Sequence, residues 1–167
     1  MEGVENGHIH PDDGELMIPG DPKPGRYYGL PKLQKPRETW PEGQNIPPLR
    51  PIVSGSGTIS ENLSHWIDKQ AKNEVKKLDS YLEDTRHLLQ LIHEENLRGP
   101  QPPGTVPVTL DIKGMYNNVP LEQGLRAFEE AMDQREDKSI PTQFLMKVMR
   151  FVASSNVFIF DRQMFLD

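Results

Sequence analysis

The chain has 167 residues and a mass of 19.1 kDa, the size of one ordinary domain, with 35% hydrophobic and 26% charged residues and a formal net charge of −6. It has no cysteine, which excludes a disulfide framework, a Cys-ligated zinc and an iron–sulfur cluster. No run approaches the 18 apolar residues of a membrane span, and the start Met1-Glu2-Gly3-Val4-Glu5 has neither the basic nor the apolar region of a signal peptide, so an intracellular protein, nuclear or cytoplasmic and not secreted, is expected.

Charge and proline divide the chain. Residues 1–21 hold six acids and no Lys or Arg. This acidic, polar start is expected to be disordered. Its His8 and His10 beside Asp12 and Asp13 read as a short polar tract rather than a metal site. Residues 22–56 reverse the sign, with Lys23, Arg26, Lys32, Lys35, Arg37 and Arg50 against Glu38 and Glu42. Ten of the sixteen prolines fall in residues 1–51, and X-Pro steps favour extended backbone, so this basic segment is predicted to be extended. It contains the apolar clusters Tyr27-Tyr28-Gly29-Leu30 and Leu49-Arg50-Pro51-Ile52-Val53.

Residues 57–105 are predicted to be mainly helical. Thr58 and Glu61 have capping-box spacing, and Leu63, Trp66, Ile67, Ala71, Val75 and Leu78 follow on one helical face. Asp84 or Thr85 caps a second helix with an apolar side of Leu88, Leu89, Leu91 and Ile92, ended by Gly99-Pro100. From residue 106 to 167 the pattern starts with a strand, Val106, Val108, Leu110 and Ile112 alternating with Pro107, Thr109 and Asp111. Pro120 and Pro141 each open a helix, with stripes Leu121, Leu125, Phe128, Met132 and Phe144, Leu145, Val148, Val152. Residues 156–166 read as two strands around Asp161-Arg162.

Two places carry candidate chemistry. Asp111 ends a predicted strand. There it either caps the following turn, the commoner role, or offers a hard oxygen to a magnesium ion, with the Ile112 carbonyl beside it. Arg50, locked between Leu49 and Pro51, can fork two hydrogen bonds onto a phosphate, with Lys32 and Lys35 as point charges nearby. The same residues also read as a solvated surface loop, and Pro48-Leu49-Arg50-Pro51 as a proline-motif ligand for an aromatic groove. Ser54-Gly55-Ser56-Gly57 lacks the Lys-Ser/Thr that completes a P-loop and reads as a hinge.

Four stretches stand in order: Tyr28-Gly29-Leu30-Pro31-Lys32-Leu33-Gln34-Lys35-Pro36, Leu49-Arg50-Pro51-Ile52-Val53-Ser54, Ser80-Tyr81-Leu82-Glu83-Asp84-Thr85, and Leu110-Asp111-Ile112-Lys113-Gly114-Met115-Tyr116-Asn117-Asn118-Val119-Pro120. In this order and spacing they resemble the reverse transcriptases of retroelements, closest to the Penelope-like branch, over residues 22–167. The resemblance implies an α+β, partial right-hand polymerase fold, with helices packed on a small incomplete antiparallel sheet. Residues 22–56 would be the basic fingers segment, 57–105 a helical fingers-to-palm connection and 106–167 the beginning of the palm. It implies that Arg50 grips the nucleotide triphosphate and that Lys32 and Lys35 contact template or phosphate. Asp111 would be the first catalytic aspartate and, with Ile112, a ligand of Mg2+; Tyr116 would lie under the sugar and select deoxynucleotides. The implied partners are an RNA template, a DNA primer and deoxynucleoside triphosphates.

A two-metal clamp needs bridging carboxylates from more than one position. The family supplies them from a later aromatic-x-Asp-Asp hairpin, whereas the one Asp-Asp of this chain is Asp12-Asp13, in no strand pattern. The expectation is therefore a fragment of an RNA-directed DNA polymerase, inactive alone, whose last strands expose Phe158, Phe160 and Phe165. The alternatives are a non-catalytic nucleic-acid-binding remnant and a proline-motif interaction module.

Overall fold

The computed structural model describes residues 2–17, 19–43, 45–112 and 114–166, and the side chains of Glu2, Asp13, Glu15, Leu16, Tyr116 and Asn117 also lie outside the described set. The architecture is α+β, with a small four-stranded sheet beside a group of helices. No helix of the described residues is long and apolar enough to cross a membrane.

The acidic start, expected to be disordered, instead forms two short helices, α1 (Glu2–Glu5) and α2 (Pro11–Met17). Its few apolar residues explain the difference, since Ile9 and Met17 are buried and the His8 ring lies 5.3 Å from that of Phe144. The basic segment supplies β1 (Gly25–Pro31) and β2 (Leu49–Ser54), an antiparallel pair with Tyr28 opposite Ile52 and Leu30 opposite Arg50. A one-turn 3-10 helix, Arg37–Thr39, lies in the connection between them.

The turn into α3 (Glu61–Lys76) departs from a simple capping box. The Thr58 hydroxyl closes the preceding turn on the Gly55 carbonyl at 2.7 Å, so the helix begins later, after Ser60. Glu61 reaches back one residue further, its carboxylate accepting from the Gly57 N–H at 2.7 Å. In α4 (Thr85–Leu97) the cap is Asp84, whose carboxylate accepts from the His87 N–H at 2.8 Å.

The strand expected at Val106–Ile112 is absent. Residues 105–112 have no regular structure, and Leu110 is 92% exposed. Alternation along a few residues marks a two-sided segment, but a strand also needs a neighbour to complete its hydrogen-bond ladder, and Pro107 removes one donor. A single turn, α5 (Met115–Asn118), follows, with Gly114 in the left-handed region before it.

The two expected proline-initiated helices form. α6 (Leu121–Gln134) follows Pro120 and α7 (Thr142–Ser154) follows Pro141, and each proline carbonyl accepts the first helical N–H groups. Leu125 and Met132 of α6 and Leu145 and Val148 of α7 are buried. The core joins Ile67, Met132, Leu145 and Val148, ringed by Leu63, Trp66, Ala71, Phe128 and Phe144. Buried Arg135 fastens α6 to α7, donating to the Met132 and Ile140 carbonyls and, at 2.9 Å, to the Thr142 hydroxyl.

β3 (Val157–Phe160) and β4 (Gln163–Leu166) form the expected terminal hairpin. The sheet order is β2-β1-β3-β4, and β1 pairs with β3 in parallel, Gly25 beside Phe158 and Arg26 beside Ile159. The sheet is thus mixed, correcting the expected antiparallel one. The expected packing of helices on the sheet is also corrected, because no strand residue belongs to the buried core and the helices pack chiefly on one another. The strands are short and partly exposed on both faces, so they lack the continuous apolar stripe that α3, α6 and α7 share.

Candidate nucleic-acid interface

The four strands contain no acid and two charged residues, Arg26 and Arg50. Period two decides where these point. Arg26, Tyr28 and Leu30 share one face of β1, and their register partners Ser54, Ile52 and Arg50 share it on β2. Lys32 prolongs the same row, its N–H donating to the Pro48 carbonyl at 2.9 Å just beyond the last ladder pair. Arg26, Lys32 and Arg50 therefore stand on one side of the hairpin around the Tyr28–Ile52 pair. Both arginines are exposed and Lys32 is half-buried.

Lys35 stands apart from this row, in the turn that follows. Its N–H bonds the Lys32 carbonyl at 3.0 Å, and its own carbonyl accepts from the Trp40 indole N–H at 3.1 Å. The Arg37 guanidinium lies 5.6 Å from the centre of the Trp40 ring, so this turn carries a second, separate pair of cations. A protein of net charge −6 thus has a purely positive surface on the two strands of the hairpin, while their connection sets Lys35 and Arg37 against Glu38 and Glu42.

Asp111 and Ile112 are not brought into that surface by any strand. Both are exposed in the irregular stretch before α5. The strand end that was expected to carry Asp111 does not form, and an exposed carboxylate has no burial cost that a metal would need to offset. The Tyr116 side chain lies outside the described residues. Among the described residues no group of three or more His, Asp or Glu is placed to hold a metal ion.

A cavity of about 240 Å3 lies where the sheet meets the helices, lined by Gly25, Val53, Ser54, Thr58, Ser155 and Asn156 among others. It is not a phosphate cradle. The Ser56, Gly57 and Thr58 N–H groups that would face an anion are taken by the Ser54 hydroxyl, the Glu61 carboxylate and the Gly55 carbonyl. The turn satisfies itself, in keeping with a structural turn.

Arg26 is the residue that sequence reasoning missed. Its signal was present, two and four residues before Tyr28 and Leu30 in a strand-forming run, but it becomes a partner of Arg50 only once the register of β1 on β2 is known. No family model, curated protein or solved structure matches the chain.

Proposed function

We propose that this chain is the fingers and the first part of the palm of a retrotransposon-type RNA-directed DNA polymerase, holding nucleic acid and nucleotide rather than completing catalysis by itself. The observation that carries the reading is the row Arg26–Arg50–Lys32 on one acid-free face of a paired hairpin. Two guanidiniums and an ammonium at fixed positions suit phosphate oxygens, because arginine forks and lysine adds a mobile point charge. In this reading Arg50 takes the incoming triphosphate, and Lys32 and Lys35 take the template backbone.

Asp111 is the one carboxylate that the motif order offers to Mg2+, and a single exposed carboxylate is not a two-metal site. Among the described residues nothing beside Asp111 completes a site for the ion. The chain alone is expected to bind a primed RNA template and not to extend the primer. Primer extension that disappears in Asp111→Ala would contradict that inactivity, and absence of affinity for the primed template at low salt would contradict the reading as a whole.

The exposed position of Asp111 favours one second reading, a binding module in which catalysis plays no part. Its signature is nucleic-acid affinity that Asp111→Ala leaves unchanged and that falls steeply with salt. The proline-motif reading has less support, because Leu49–Ser54 is paired along β1 rather than offered as a free polyproline helix.

A further inference from the structure

The face of the sheet opposite the arginines carries a row of rings. Tyr27 is on that face, two residues from Gly25, which is the register partner of Phe158; Phe158 is in turn opposite Phe165, and Phe160 is two residues beyond Phe158. The rings meet accordingly. Tyr27 is stacked with Phe158 at 6.0 Å and meets Phe160 edge-on at 4.9 Å, while Phe158 stacks on Phe165 at 5.4 Å. Phe158 is half-buried at the centre, and its neighbours remain open, Tyr27 at 37%, Phe165 at 40% and Phe160 at 51% exposure.

We infer that this ring row is a stacking platform for the unpaired bases of single-stranded nucleic acid, a site separate from the basic row on the other face. Three features select that occupant. Flat rings fixed by a sheet accept other flat rings of any sequence, because every base has a π-face. The surrounding strands carry no carboxylate to repel a phosphate backbone, and the charges that flank them are balanced, Asp161 beside Arg162 in the β3–β4 turn and Lys23 3.8 Å from Asp21 before β1. Gln163, paired with Phe160 on the same face, adds an amide able to meet a base edge. The inference rests on the reading that a nucleic acid is the partner, but it adds a different contact, to bases rather than phosphates.

The test compares a fluorescein-labelled oligo(dT) of about twelve nucleotides, within the span of ~4–16 that such sites cover, with an abasic strand of equal length and equal phosphate number. Binding is followed by anisotropy on the whole chain, and Phe160→Leu/Phe165→Leu removes two rings while keeping apolar side chains. The wild type is expected to prefer the strand with bases by about tenfold or more, as base–ring stacking gives. The double variant is expected to lose that preference with duplex affinity unchanged. Equal binding of the two strands by the wild type would overturn the inference and leave the phosphate-binding reading intact. No binding of either strand or of duplex would overturn both. A dimer that the double variant splits without changing strand affinity would assign the face to a second copy and also overturn the inference. Should the double variant fail to fold, the abasic comparison on the wild type decides.

Discussion

At the residue scale, the β3–β4 turn and Gly25 make opposite demands on a side chain. Asp161 and Arg162 form the two-residue loop between Phe160 and Gln163, and both have positive φ, 47° and 63°. This is the pattern of a type I′ turn, which matches strand twist but suits Asn-Gly better than Asp-Arg. Arg162→Gly is therefore expected to stabilise the chain by about 0.5–1 kcal/mol, read from denaturant midpoints; a lower midpoint would show that Arg162 makes a contact worth more than its strain. Gly25 is the opposite case. It pairs with Phe158 of β3 one residue before the first β1–β2 pair, Arg26–Ser54, and a Cβ there would come within 2.8 Å of the Ser54 carbonyl oxygen. Gly25→Ala is expected to cost about 1–3 kcal/mol, as overpacking does, and an unchanged melting temperature would mean that the seam has room for a methyl group. The third residue-scale effect is electrostatic. Arg150 donates to both carboxylate oxygens of Glu122, at 2.7 and 3.1 Å, and this hydrogen-bonded pairing holds the Glu122 carboxyl below its ordinary range and raises Arg150. A depressed carboxylate stabilises the fold above the ordinary glutamate range, and the contribution fades as pH falls through the depressed value. The pair is solvent-exposed, so its effect on stability is small. A carboxyl NMR titration is the sensitive readout: Arg150→Met should return Glu122 to the ordinary range, and an unmoved titration would remove Arg150 as the cause.

At the element scale, the helices were legible and the long-range pairings were not. The stripes on α6 and α7 contain the buried residues of those helices, although Leu121 at the start of α6 is exposed, because a 3.6-residue period is written locally. The stripe on α3 was legible only in part: Ile67 is buried, whereas Val75 and Leu78 near its end are exposed. The apolar side assigned to α4 is exposed throughout, at Leu88, Leu89, Leu91 and Ile92. Amphipathic spacing tells which side would be covered, not whether a neighbour arrives to cover it. The same limit explains Val106–Ile112, where alternation was read as a strand and no ladder forms, and the parallel seam between β1 and β3, which joins residues more than a hundred positions apart. The candidate site divides in the same way: Arg50 and Lys32 were visible one by one, and their common face with Arg26 required the register. The three-helix core makes a direct prediction. Leu145 is fully buried against Ile67, Met132 and Val148, so Leu145→Ala should cost about 2–5 kcal/mol. A loss below about 1 kcal/mol in urea unfolding would indicate a site that collapses readily around the truncation.

At the scale of the whole molecule, charge and apolar burial are segregated. The helices α3, α6 and α7 hold the core, and the sheet stands beside them with arginines on one face and aromatic rings on the other. The net charge of −6 conceals this arrangement, since the acids concentrate in the start and in the helical part while residues 22–56 are net positive. In the proposed reading the helices supply the core and the basic face of the sheet meets the polyanion. The most direct test is the salt dependence of affinity for a primed RNA template, measured by anisotropy on the chain and on Arg26→Ser/Lys32→Ser/Arg50→Ser. The basic row predicts a steep fall of log affinity with log salt in the wild type, and a slope shallower by about one unit for each phosphate-contacting cation removed. Equal slopes in the two proteins, or affinity indifferent to salt, would contradict it.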